Sequence, residues 1–119
     1  MFETTALMSE IFALVSDMAA KFVACHPEAA PKELTTMSFE TQAIAISNHN
    51  GVIIDNVFGQ ENDDVGHLYY TRLEKLFGKL EKIDVQSLSL DLKTNLFRVL
   101  QTKGMLLKAL APFKYSYTR

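Results

Sequence analysis

The chain has one cysteine and no tryptophan among its 119 residues. A lone cysteine cannot close an internal disulfide, so a reducing, cytoplasmic setting is expected and the core has to hold the fold. Three prolines and five glycines leave no low-complexity linker, and no segment repeats at a period of 20–50 residues. No apolar run approaches the ~20 residues that span a bilayer. The opening Met1-Phe2-Glu3-Thr4-Thr5 lacks both the basic region of a signal peptide and the glycine that myristoylation requires. Direct membrane insertion is therefore not expected, and membrane association is expected only through partners. Excess positive charge is missing as well. Twelve Lys and Arg against 14 Asp and Glu give a net charge of -2, without the broad basic footprint of a nucleic-acid binder.

What is present has the balance of a folded domain, with 48% hydrophobic and 22% charged residues. A chain of this length supports one domain and buries roughly 65% of its unfolded surface without a staple. The first segment, 4–25, reads as an amphipathic helix, with Leu7, Met8, Ile11, Leu14, Val15, Met18 and Phe22 at steps of three and four. His26-Pro27 ends it, since the residue before proline is pushed out of the helical region. Residues 26–41 read as a connector. The stretch 42–58 then looks like a hairpin: apolar Gln42–Ser47, the turn Asn48-His49-Asn50-Gly51, and apolar Val52–Phe58. Asn-Gly favours a type I′ turn, and β-branched flanks favour strands. A second helix is expected over 64–82, capped by Asp63 or Asp64, with Val65, Leu68, Tyr69, Leu73, Leu76, Phe77, Leu80 and Ile83 in one stripe.

The last third supports two readings. Ser87-Leu88-Ser89-Leu90-Asp91-Leu92 alternates as a half-exposed strand does, and breaks near 93–95 and 102–104 divide 86–111 into three strands, with 112–119 as a tail. The competing reading is a helix over 91–110, which Leu92, Leu96, Val99, Leu100, Leu106, Leu107 and Leu110 fit almost as well.

In the strand reading the element order is helix, strand, strand, helix, then three strands. With the tight hairpin at Gln42–Ile54, the helix opened by Asp63-Asp64, and Gly104 between the last two strands, this order resembles the roadblock family. That family contains roadblock-type dynein light chains, Ragulator subunits and bacterial roadblock proteins. The resemblance implies an α/β (α+β) roadblock/profilin-like fold, a five-stranded antiparallel sheet with helices on both faces. The connector is longer than the family's usual link, and after the third of these strands the tail 112–119 is expected to leave no room for the family's final helix. The resemblance also implies a non-enzymatic scaffold or adaptor, a homodimer or a heterodimer with a similar module, serving a small GTPase or a motor or membrane complex. In such a pairing the second strand would join the same strand of a partner, with Val52, Ile54, Asn56, Phe58, Tyr69 and Leu73 at the interface.

Residues able to do chemistry are scattered. Cys25, His26, His49 and His67 have none of the short spacings of a zinc site, and the five glycines form neither a dinucleotide fingerprint nor a P-loop. No cofactor, metal site or catalytic residue is expected, and Cys25, closing an apolar stripe, is expected to be a buried, inert thiol. Two alternatives stand beside the scaffold: an all-helical bundle that presents a groove as a small chaperone or regulatory binding protein, and an enzyme using the Cys25 thiol.

Overall fold

The computed structural model describes residues 2–28, 32–48, 57–58 and 65–115. Its regular elements there are all helical: α1 (Phe2–Cys25), α2 (Phe39–Ser47), α3 (Val65–Glu81), α4 (Leu90–Gln101) and α5 (Lys103–Ala109). Short 3₁₀ turns lie at Lys32–Thr36, Val85–Ser87 and Ala111–Phe113. Among the described residues there is no strand, so the five-stranded roadblock-like sheet is not the fold of this chain.

α1 is the organising helix. Ile11, Val15, Met18, Ala19 and Phe22 are fully buried, and three- or four-residue steps keep them on one face. That face packs on α2 and α3 and touches α4, while α2 also packs on α5. α3 presents Tyr69, Tyr70, Leu73, Leu76, Phe77 and Leu80 to the core and lies against α4, α5 and the last turn. The molecule is 19 Å thick in its shortest dimension, about two helix diameters.

The segments expected as strands are helical for local reasons. Ser38 caps α2, its Oγ accepting the Thr41 N–H at 3.2 Å, and Glu40 complements the helix N-terminus. The first hairpin arm is thus α2, and the crowding of Ala43-Ile44-Ala45-Ile46 does not mark two covered faces. Ala43 and Ile46 are buried, whereas Ile44 is 47% exposed. Asn48 begins no turn between strands; it ends α2 in the αR region, its N–H bonded to the Ile44 carbonyl. The turn's remaining residues and Val52–Asn56 lie outside the described residues, as do Asp63 and Asp64. Val57 and Phe58 are helical and buried.

The three strands of 86–111 are likewise replaced, by α4 and α5. The alternation of Ser87, Ser89 and Asp91 is a capping pattern: Ser89 Oγ accepts from the Leu92 N–H at 3.2 Å, and Asp91 sits in the first turn of α4. Ser87 closes a 3₁₀ turn that Asp84 caps. Lys93-Thr94-Asn95 makes no turn, and of the break expected at Thr102-Lys103-Gly104 only Thr102 leaves the helix. The single interruption falls at buried Thr102, whose Oγ1 donates to the Val99 carbonyl at 2.7 Å and so competes with the helix ladder.

The connector 26–41 is partly structured. Buried Gln42 directs Nε2 at the carbonyls of Leu34, Thr35 and Met37, at 3.0, 3.2 and 3.2 Å, which fastens the first 3₁₀ turn to α2. At the other end Phe113 is buried, and His67 Nδ1 lies 3.1 Å from its carbonyl. A carbonyl can only accept, so in this bond Nδ1 carries the hydrogen.

Candidate functional site

The residues expected at a partner interface divide in two. Val52, Ile54 and Asn56 lie outside the described residues. Phe58, Tyr69 and Leu73 are described, and all three are buried within this chain. The Phe58 ring stands edge-on to Phe22 and to Tyr69, with centroids 5.7 Å apart in each pair. Leu73 is fully buried. With 42–47 helical there is no sheet among the described residues, so the sheet edge on which the pairing depends is not found there.

The scattered chemical groups stay apart. Cys25 is exposed at the end of α1, contrary to the buried thiol expected of it. The apolar stripe that suggested burial ends at Phe22 and half-buried Val23. His26 Nδ1 lies 3.1 Å from Glu28 Oε1, and the Glu28 carboxyl falls below its ordinary value. Its own backbone N–H is the main cause, with His26 second. His67 is spent on Phe113, and His49 lies outside the described residues. Among the described residues no three His, Cys, Asp or Glu side chains come together to hold a metal ion.

The most developed surface feature is the seam between α1 and α3. The helices run antiparallel, since contacts that advance along α1 retreat along α3: Arg72 Nη2 meets Glu10 Oε2 at 3.3 Å, and the Tyr69 hydroxyl donates to Asp17 Oδ2 at 3.4 Å. Farther along, Lys21 and Val65 face the same open groove of about 480 Å³, whose other walls include Leu14, Leu68, Tyr69 and Arg72. Smaller depressions continue it past Glu10 and Ala13 to Lys75 and Lys79. The volume falls within the ~300–1,000 Å³ of ordinary ligand clefts.

Two side chains give the seam its character. Leu68 stands on the outer side of α3, about 140° round the helix from buried Leu73, and is 61% exposed. A solitary exposed leucine is ordinary, but this one adjoins Leu14 and Val65 in a concavity. Tyr69 forms the floor. Burial first, then the negative charge of Asp17 and the hydrogen bond to it, pushes its hydroxyl up to about 12.

The seam was not among the sites expected from sequence. The signal that could have found it is position: at 3.6 residues per turn Leu68 falls among Arg72, Lys75 and Lys79, an apolar residue on the charged outer face of α3 and not in the stripe. Other large apolar side chains also reach the surface, among them Met37, Ile44, Phe12 (its ring edge-on to Phe39) and, on α4, Leu90 and Phe97.

Fold and surface together define an all-helical domain, over the described residues, with a mainly apolar groove edged by Lys21 and Arg72 between two antiparallel helices. No family model, curated protein or solved structure matches the chain. Among the described residues no helix is long and apolar enough to cross a membrane.

Proposed function

We propose that this chain is a non-enzymatic helical binding module, a small regulatory or chaperone-like protein that receives a segment of another polypeptide in the α1/α3 groove. The observation that carries the reading is the exposed Leu68 beside Leu14 and Val65 in an open groove of about 480 Å³. Helix-in-groove recognition uses such a surface, an apolar strip between two helices that accepts the apolar face of a third. Burial of Leu68 and its neighbours would supply affinity, and the flanking charges would set orientation.

The test is a selection. A displayed library of helical peptides is panned against the full chain, and the survivors are measured on the Leu68→Asp variant. Leu68 is exposed, so the variant is expected to keep wild-type circular dichroism while peptide binding falls at least about tenfold. Selected peptides that bind Leu68→Asp as well as wild type overturn the reading.

A further inference from the structure

We infer that the segment the groove receives is an acidic amphipathic helix, with carboxylates about three turns apart flanking an apolar centre; this rests on the binding reading above and names its partner class. Charge complementarity is the ground. The chain is net negative, at -2, yet the seam carries Lys21, Arg72, Lys75 and Lys79 against the two carboxylates of Glu10 and Asp17. Both acids are already engaged. Asp17 accepts the Tyr69 hydroxyl, and Glu10 pairs with Arg72. Among the described residues Lys21 has no ion pair, and neither do Lys75 and Lys79. Asp17 keeps its charge, because its partner is a neutral hydroxyl, so the seam's four cations outnumber its two acids and favour an anionic occupant over a basic one.

The placement of those cations sets a spacing. Lys21 marks one end of the groove, and the Glu10–Arg72 pair, with Lys75 and Lys79 beyond it, marks the other. Eleven residues of α1 separate Lys21 from Glu10, about 16 Å at helical rise. On an incoming helix the same distance is about three turns, which returns side chains to one face. Leu14 and Leu68 lie between the ends, so the occupant's intermediate turns carry apolar side chains and its terminal turns carry Asp or Glu.

The probe is a fluorescein-labelled, helix-stapled peptide of about 16 residues, with glutamates about three turns apart and leucines between them on the same face. Anisotropy with the full chain is expected to show saturable binding that weakens about tenfold when both glutamates become glutamines and is lost when they become lysines. The double variant Lys21→Glu, Arg72→Gln is expected to weaken the glutamate peptide by at least about tenfold at unchanged circular dichroism and to gain affinity for the lysine peptide. Equal affinity for the glutamate and glutamine peptides overturns this inference and leaves the binding reading standing. Equal affinity of the glutamate peptide for wild type and Leu68→Asp overturns both. A concentration-dependent dimer that Leu68→Asp dissolves assigns the groove to a second copy, and binding to phosphatidylserine vesicles with no peptide binding assigns it to a lipid surface; either outcome overturns the acidic-helix assignment.

Discussion

Tyr69 joins the core to the groove at a single side chain. Its ring packs on Phe58, its hydroxyl bonds Asp17, and its ionisation is pushed up to about 12. An unfolded tyrosine ionises near 10, so the raised native value means that the folded chain holds its proton more tightly. The associated stability is fully present below pH ~10 and is lost as pH rises from about 10 toward 12. Tyrosinate absorbance during alkaline titration of the native protein should therefore include a late component near pH 12 that belongs to Tyr69. In Tyr69→Phe the late component should vanish. A titration in which Tyr69→Phe removes an early component contradicts this account of the site.

At the scale of one helix, two glycines of α3 give opposite predictions. A Cβ on Gly66 would lie 2.5 Å from Phe113 Cγ and 2.6 Å from the Phe58 carbonyl oxygen, so the close approach of the last turn to α3 depends on glycine. A Cβ on Gly78 would meet nothing within 4 Å. Alanine is the better helix former by roughly 1 kcal/mol at either site. At Gly78 that preference acts alone, and Gly78→Ala should stabilise by roughly 0.5–1 kcal/mol. At Gly66 a backbone oxygen cannot give way cheaply, and Gly66→Ala should destabilise by about 1–3 kcal/mol despite the propensity gain. Urea denaturation of the two variants reads both signs.

The legible and illegible elements differ in length and in the strength of their stripes. The stripes over 4–25 and 64–82 lie on α1 and α3, because several turns of apolar spacing outweigh any local ambiguity. α2 has nine residues, and its apolar positions 43–46 are consecutive, so periodicity says little about it. There the deciding feature is Ser38 three residues before Thr41, a helix cap lying upstream of the segment in question. In α4 the cap residue Ser89 and the first-turn Asp91 imitate strand alternation. Reading those polar residues as a cap instead of as a wet face turns the same letters into a helix start. The groove was less legible still, since it is made by two helices far apart in sequence.

Over the whole molecule, thickness explains why the seam is open. At 19 Å the fold is about two helices deep, so among the described residues an α1/α3 seam facing outward has no third layer to cover it. The core beneath is closed by Ile11, Val15, Phe22, Leu73 and Phe77, all fully buried. The surface can thus be altered at Leu68, Lys21 or Arg72 without opening the interior. Charge is also unevenly placed, with cations gathered along this seam in a chain of negative net charge. The measurement that tests this most directly is amide chemical-shift mapping of the full chain as it is titrated with a peptide selected from the helical library. The account predicts shifts concentrated along Leu14–Lys21 of α1 and Val65–Arg72 of α3. Shifts concentrated instead around Phe12 and Phe39, or around Leu90 and Phe97, would contradict it.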